Sequence, residues 1–344
     1  MPDRDTARRL RVFLAYTAQE FALAYDPPAL AQLERVADVV RNPGSQILIG
    51  PALAEAAAAC DVIVGYRSTP CDAATFAALP HLRAFVRAAV DLSPIDLEAA
   101  SRLGILVARV EPGFANAVAE LGMGLLVDLA RGVTRHRLSA AGGAHAAPPQ
   151  GRELSGATLG FIGYGRIARR MQQLASAFGM QTLAHDPLLT QADVRLQSLD
   201  AVLAASDFVV CLAAATVQTR HLMNEQRFAR MKPGACFINL SRGELVDEEA
   251  LERALDLGVL GGAALDVGSA PDQKPASRFI HRPDVVVTQH IGATTTQARA
   301  FQTMDAIRQV QALAQRRMPP GAVNAQAAWR LQHWLDAPAG AAVA

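Results

Sequence analysis

Lysine is almost missing from this chain: Lys232 and Lys274 are the only two, and arginine carries the rest of the basic charge. The 33 basic residues stand against 32 acidic ones, a formal net charge of +1. Such a balance has neither the basic excess nor the basic stripe that neutralises phosphates, so no nucleic-acid partner is expected. Cysteine is also scarce. Cys60, Cys71, Cys211 and Cys236 form no Cys-x-x-Cys pair, which argues against a disulfide scaffold and leaves no metal site to expect. Reduced, buried, structural thiols are the expectation. Long hydrophobic runs are absent as well. Leu10–Tyr16 is too short to span a bilayer and has no cleavage site after it, so a soluble cytoplasmic protein without a membrane partner is expected. What the chain does have is apolar material: 51% hydrophobic against 19% charged residues, which argues against disorder. Its 344 residues suit two domains at about 150 residues each.

The dominant pattern is an apolar strand, a turn and an amphipathic helix, repeated. In the first third the strand candidates are Arg11–Tyr16, Val62–Tyr66, Ala84–Ala88 and Ile105–Arg109. Helices are expected between them at Pro28–Ala37, Cys71–Ala78 and Leu97–Leu103. Strands alternating with helices imply parallel pairing, because parallel neighbours need a crossover. Ala117–Arg131 reads as a long apolar helix ended by Gly132, followed by a loop-like stretch over 142–156. A second series then begins, with strands at Thr158–Ile162, Gln181–Ala184, Phe208–Leu212, Cys236–Asn239, Gly262–Leu265 and Val285–Thr288. Helices are expected at Ile167–Phe178 and Glu248–Leu255, and another long one at Thr294–Arg317 before Pro319-Pro320-Gly321. Six strands with crossovers suit a doubly wound nucleotide-binding domain. The tail from Asn324 holds Trp329 and Trp334 and then turns to Ala, Gly and Pro.

The sharpest local signal is Thr158-Leu-Gly-Phe-Ile-Gly163-Tyr-Gly165-Arg166-Ile167-Ala168, a strand running into a Gly-x-Gly-x-x-Ala turn that opens a helix. Gly163 permits the tight turn, Gly165 lets backbone approach a pyrophosphate, and Ala168 keeps the helix close to the sheet. The helix N-terminus, beginning at Arg166 and Ile167, offers N–H donors and a positive dipole end. Asp186 follows about 20 residues on, at the end of the next strand, where an acid accepts from ribose hydroxyls and repels a 2′-phosphate. NAD is therefore expected over NADP.

Three further segments complete the pattern: Met231-Lys-Pro-Gly-Ala-Cys-Phe-Ile-Asn239-Leu240-Ser241-Arg242-Gly243-Glu-Leu-Val-Asp247, then Ala263-Ala-Leu-Asp266-Val, then Thr288-Gln-His290-Ile-Gly292-Ala293-Thr294. Together with the glycine turn they resemble the D-isomer-specific 2-hydroxyacid dehydrogenase family, most specifically from about Gly156 to Ala298. The resemblance implies an α/β fold of two Rossmann-like or flavodoxin-like domains with a cleft between them, linked by two long helices. It assigns 1–117 and 299–344 to a discontinuous substrate domain and 118–298 to the NAD domain. It also implies a homodimer.

Each segment sits at the C-terminal end of a strand, where open α/β sheets bind ligands. Arg242 can grip a carboxylate and the reacting carbonyl oxygen with parallel hydrogen bonds. His290 can give a proton to that oxygen during reduction and take it back during oxidation. By resemblance, Asp266 faces the nicotinamide side of the cofactor. Leu240, Ser241 and the stretch around Gly292 line the same end. Arg67 and Ser68, in Gly65-Tyr66-Arg67-Ser68-Thr69, match a family pair near the substrate, and Arg87 is a further nearby cation. These basic groups favour an organic acid as the small-molecule substrate.

The chain also departs from the family. A Glu that holds the His ring is replaced: in Asp266-Val-Gly268-Ser269-Ala270-Pro271-Asp272, Ala270 stands in its place, with Ser269 before it and Asp272 displaced beyond it. The family's glycine-rich turn, whose N–H groups meet the substrate carboxylate, reads here Ala88-Ala89-Val90-Asp91-Leu92-Ser93-Pro94-Ile95-Asp96. Asp91 has three readings: a cleft residue that disfavours anions, the missing partner of His290, or a turn residue facing solvent. A His-x-Pro pattern after Cys211 is replaced by Leu212-Ala213-Ala214. The expected function is an NAD-dependent oxidoreductase for a 2-hydroxy or 2-oxo acid. The alternatives are an NAD(H)-binding sensor with weak or no catalysis, and a dehydrogenase of the same fold for a non-standard substrate.

Overall fold

The computed structural model of the chain describes residues 9–142, 150–270 and 272–336. Four parts of the sequence reading lie outside them: the charged start before Arg9, residues 143–149 of the loop-like stretch, Pro271, and the end after Asp336. The chain divides into two units, Met1–Gly113 with Thr296–Ala344, and Phe114–Thr295.

The first unit carries β1 (Leu10–Ala15), β2 (Ala37–Arg41), β3 (Val62–Gly65), β4 (Ala84–Arg87) and β5 (Leu106–Arg109). All pair in parallel in the order β2-β1-β3-β4-β5, the flavodoxin-like order whose switch point lies between β1 and β3. Every residue of β3 and β4 is buried, as expected where helices cover both faces of a parallel sheet. One face packs under the helix Thr296–Ala314 through Ala306, Ile307, Val310 and Leu313. The other packs under the helices Gly50–Ala57 and Ala73–Ala77 through Leu53, Ala57 and Phe76. The helix expected over Pro28–Ala37 runs instead from Pro27 to Glu34, and Ala37 opens β2. That strand gave no sequence signal because only its first residue is buried. An edge strand with one core contact lacks the alternation that marks a half-buried strand.

The second unit carries β6 (Thr158–Ile162), β7 (Gln181–His185), β8 (Arg195–Leu196), β9 (Phe208–Cys211), β10 (Ala235–Asn239), β11 (Leu260–Leu265) and β12 (Val285–Val287). Their order is β12-β11-β10-β9-β6-β7-β8, all parallel, which is the doubly wound dinucleotide-binding arrangement extended by one strand. The two-residue β8 was not expected from sequence; it is a short edge partner of β7. The helix Ala115–Arg131 belongs to this unit, packs on the helix Arg166–Ala177, and ends at Gly132 with φ +65°. Register pairs Ile162 with Cys211, Cys211 with Asn239, Asn239 with Leu265 and Leu265 with Val287. The carboxyl ends of β6, β9, β10, β11 and β12 therefore fall along one edge. The four cysteines are free and buried.

Candidate active site

At the end of β6 the chain turns sharply at Gly163, with φ +86°. A side chain there would stand 2.7 Å from the backbone of Ala213, so glycine is required twice over. Gly165, two residues on, faces open space. It caps the helix Arg166–Ala177 without any side-chain hydrogen bond to the first turn. A 12-residue helix that begins beneath open space directs its leading N–H donors toward an anion placed there. Asp186, just past β7, accepts from Tyr164 N at 2.9 Å and from Leu188 N at 3.0 Å. Its carboxylate is thereby fixed beside the glycine turn. Buried Tyr164 donates to Asp193 Oδ1 at 2.8 Å, and Arg169 reaches the same oxygen at 3.0 Å. Burial, with that hydrogen bond, pushes the Tyr164 hydroxyl well above its ordinary pKa.

Two loops away, the ends of β10, β11 and β12 hold one another in place. Buried Asn239 receives Ser241 N at 3.1 Å and donates to the carbonyl of Arg242 at 3.0 Å, an Asx turn that sets the Leu240–Arg242 backbone. Ser241 Oγ donates to the carbonyl of Ala213, and Leu240 N to that of Cys211 at 3.2 Å. Arg242 Nη1 rests on the carbonyl of Ser241 at 2.8 Å. Gly243 lies against the backbone of Gly268 so closely that a Cβ would stand 1.9 Å from its carbonyl carbon. The Arg242 loop is thus seated on the loop that follows Asp266.

Asp266 is 2% exposed and organises the next turn. Its Oδ1 accepts from Thr288 Oγ1 at 2.6 Å and from Ile291 N at 2.8 Å, and its Oδ2 accepts from Gly292 N at 3.0 Å. Its carbonyl accepts from His290 N at 2.7 Å. His290 has φ +56°, a left-handed conformation that favours glycine and costs a side-chain-bearing residue about 1 kcal/mol. The Asp266 bonds on both sides of it hold that strain. Both oxygens of Asp266 are therefore engaged by the turn that carries His290.

The segment after Asp266 is held as well. Ser269 donates through N and Oγ to Glu248 Oε1, at 2.8 and 3.0 Å, and Ala270 is exposed. Asp272 is exposed and committed to Lys274, whose N lies 3.2 Å and Nζ 3.3 Å away. The hydrogen bond from Lys274 N, aided by the ammonium, lowers the Asp272 pKa. Asp272 is thus a solvated loop carboxylate.

The sequence-expected residues divide between the units. Gly163, Gly165, Arg166, Ile167, Asp186, Leu240, Ser241, Arg242, Asp266, His290 and Gly292 all belong to Phe114–Thr295, on loops at one edge of its sheet. Arg67, Ser68 and Asp91 belong to the other unit, after β3 and β4. Arg67 is exposed. The Ser68 hydroxyl donates to Glu20 Oε1 at 2.6 Å, so it is held by a protein carboxylate. Asp91 accepts from Ser93 N at 3.0 Å and Ser93 Oγ at 2.8 Å, the geometry of an Asx turn. Sequence reasoning passed over Asn239, Glu248 and Glu20. Asn239 carries a recoverable signal, an Asn closing an apolar strand two residues before a Ser. Glu20 and Glu248 act across 48 and 21 residues of chain and carry none.

Known proteins share this architecture and these segments. The sequence profile of the D-isomer specific 2-hydroxyacid dehydrogenase NAD binding domain matches residues 123–292. A hydroxypyruvate reductase of Thermotoga maritima is 35% identical over 244 residues, covering 70% of this chain and 80% of that one. The chloroplastic D-3-phosphoglycerate dehydrogenase 2 of Arabidopsis thaliana is 34% identical over 255 residues, covering 72% of this chain. The match takes in only 41% of that longer protein. Among solved structures, the TT0316 protein of Thermus thermophilus aligns with a TM-score of 0.79 at 31% identity, over 91% of this chain and all of that one. The chain belongs to the D-isomer specific 2-hydroxyacid dehydrogenase family, whose NAD-binding domain it carries and whose members are oxidoreductases acting on CH–OH donors.

Proposed function

We propose that the protein interconverts a small 2-oxo acid and its 2-hydroxy acid, with Arg242 orienting and polarising the substrate and His290 as the general acid and base. The observation that carries this reading is the strained His290 turn after β12, locked by buried Asp266 at the end of β11, the strand between it and the Asn239 turn that presents Arg242. Strain held by an over-determined network marks a position kept for chemistry.

The cofactor fits the residues present. Gly163 and Gly165 clear the approach, the helix N-terminus at Arg166 and Ile167 receives the pyrophosphate, and Asp186 receives the ribose. NADH supplies the hydride when bound. The guanidinium of Arg242 holds the substrate carboxylate with parallel N–H···O bonds and stabilises the charge that gathers on the carbonyl oxygen. The proton on the His290 ring passes to that oxygen as it becomes a hydroxyl, and oxidation reverses the path. Asp266 fixes the turn from which His290 works, and Leu240, Ser241 and Gly292 shape the adjoining backbone. Arg67 contributes a second cation for the acidic end of the substrate, while Ser68 and Asp91 shape the turns around it.

A substrate screen tests the reading: 2-oxo acids with NADH, followed by loss of NADH absorbance, beside Arg242→Ala. Turnover by the wild type is expected. The variant should lose about 100- to 1,000-fold in kcat/KM with NADH affinity kept. Equal activity in both proteins overturns Arg242's role. A second reading, an NAD(H)-binding sensor, draws support from Ala270 standing where the resemblance implies a Glu, and NADH binding without turnover of any oxo acid favours it. In either reading the protein acts as a cytoplasmic homodimer. Among the described residues no helix is long and apolar enough to cross a membrane. The helix Val133–Ala141 buries none of its residues and leaves Val133 and Leu138 56% and 51% exposed. A monomeric mass in solution would exclude the dimer.

A further inference from the structure

Tyr164 stands between the two glycines of the dinucleotide turn and is 1% exposed. Its ring fills part of the core of the Phe114–Thr295 unit, 6.1 Å from the ring of Phe161, with the Arg169 guanidinium 4.8 Å over its face. Phenylalanine carries the same ring, so the hydroxyl adds nothing to this packing. A buried phenol needs a hydrogen-bond partner, and this one donates to Asp193 Oδ1 at 2.8 Å. Burial, and then that bond, push its pKa well up, so it stays protonated and a donor.

The main chain of the same residue is engaged at a second place, where Tyr164 N donates to Asp186 Oδ2 at 2.9 Å. Asp186 opens the loop between β7 and β8, and Asp193 lies near its end. One residue therefore staples both ends of one loop to the glycine turn, by its backbone at the entrance and by its side chain at the exit. Between the staples Leu189 and Ala192 pack against the core. Leu188, whose N–H donates to Asp186 Oδ1 at 3.0 Å, is 89% exposed. The staple at the exit matters because the other fastenings there are slight. β8 is an edge strand of two residues, followed by Gln197 N on the carbonyl of Ala184 at 2.9 Å. Arg169 reaches Asp193 at 3.0 Å, but these side chains are 42% and 57% exposed, and an ion pair so exposed contributes little.

We propose that Tyr164 is a positioning residue for the adenosine half of NAD, its two bonds holding the Asp186–Asp193 loop ready to receive that half of the cofactor. The loop presents the Asp186 carboxylate to the ribose and, two residues on, the apolar side chain of Leu188 to the purine. A loop ordered before binding loses no affinity to being ordered by the ligand. The assignment rests on the placement of the ribose at Asp186 and is independent of the substrate.

The test uses Tyr164→Phe, Asp193→Ala and Asp193→Asn in the full-length protein. Calorimetry compares ADP-ribose, which carries the adenosine half, with reduced nicotinamide mononucleotide, which carries the other. Tyr164→Phe is expected to weaken ADP-ribose by about 10-fold and to keep the mononucleotide within about 2-fold. Asp193→Asn retains an acceptor for the phenol and drops the ion pair, so it should stay within about 3-fold of the wild type on both ligands. Asp193→Ala should match Tyr164→Phe, and the double variant should lose no more than either alone, because both remove one bond. If Tyr164→Phe does not fold, Asp193→Ala carries the comparison. A folded Tyr164→Phe with wild-type ADP-ribose affinity overturns the proposal. So does an equal loss on both ligands, which would mark a general loosening of the turn. Asp186→Ala, run beside them, separates this assignment from the placement it rests on. ADP-ribose affinity kept in Asp186→Ala but lost in Tyr164→Phe takes the ribose away from Asp186 and leaves the stapled loop as the receiver of the adenosine half.

Discussion

In Phe114–Thr295 the strand-end loops are shaped by glycine and by short polar caps next in sequence: Gly163 under Ala213, Gly243 against Gly268, Asn239 bonding two residues ahead. In the unit built on β1–β5 the corresponding loops have ordinary turn sequences and are held from beneath by side chains far along the chain, Arg87 at Tyr66–Thr69 and Glu20 at Ser68. Both units place their loops at the carboxyl ends of parallel strands, as the doubly wound topology dictates. The contrast shows that a loop can be preorganised by backbone permissiveness or by a buried polar side chain. The second route costs desolvation but frees the loop sequence to vary.

Asp266 is the exception that tests this contrast most severely, since it is a buried side chain doing the shaping in the glycine-built unit. Asp266→Ala removes the acceptor of Thr288, Ile291 and Gly292 together. We expect kcat to fall about 100-fold or more and the unfolding free energy to drop by about 3 kcal/mol. Steady-state rates and urea midpoints check it. Wild-type kcat in a destabilised variant would show that the His290 turn holds itself.

A smaller effect is expected at the dinucleotide turn, where the backbone does most of the shaping. Asp186→Ala should weaken NADH by about 10-fold and narrow the preference over NADPH, because the carboxylate both accepts and repels. Fluorescence titration with both cofactors measures it. An unchanged NADH-to-NADPH ratio would remove Asp186 from the selection.

The smallest effect belongs at the opposite ends of the same strands. Asp207, before β9, is bonded to Thr158 N at 2.9 Å and Lys232 Nζ at 2.7 Å. Burial pushes its carboxyl up, but those hydrogen bonds and the nearby Lys232 and Arg152 charges outweigh it, and the net shift is downward. A carboxyl whose folded pKa lies below its unfolded one adds stability that is fully present above the unfolded value near 4 and is lost as pH falls through the folded value. Asp207→Asn should therefore flatten the acid limb of the stability curve below about pH 4, by at most about 1 kcal/mol since Lys232 is half exposed. Its kcat should stay unchanged. A change in kcat at neutral pH would mean that the amino ends of the sheet influence the site as well.

Much of the second unit was legible in sequence. β6 matches its expected bounds, and the five longer strands after it fall within two residues of theirs, because each is an apolar run closed by a turn residue. Gly163 and Asp186 stood out through the spacing of a strand, a glycine turn and the end of the next strand, whereas Arg242 and His290 stood out through the resemblance to a family. Two edge strands were not legible. β2 buries one residue and β8 is two residues long, so neither carries a periodicity to read. The engagement of Ser68 by Glu20, of Ser269 by Glu248 and of Asp266 by the His290 turn was equally invisible. Each is a contact between residues more than 20 apart whose types allow many partners.

The sequence by itself determined that this chain folds as α/β with parallel sheets, carries an NAD-binding turn and belongs among the 2-hydroxyacid dehydrogenases, since apolar periodicity and strand-end motifs are local properties. Only the tertiary structure decided which carboxylates are occupied, which loop Tyr164 fastens at both ends, and that Arg87 lies buried beneath the Tyr66–Thr69 loop. Those outcomes depend on directions and distances between strands that pair across the chain, and no local pattern encodes them.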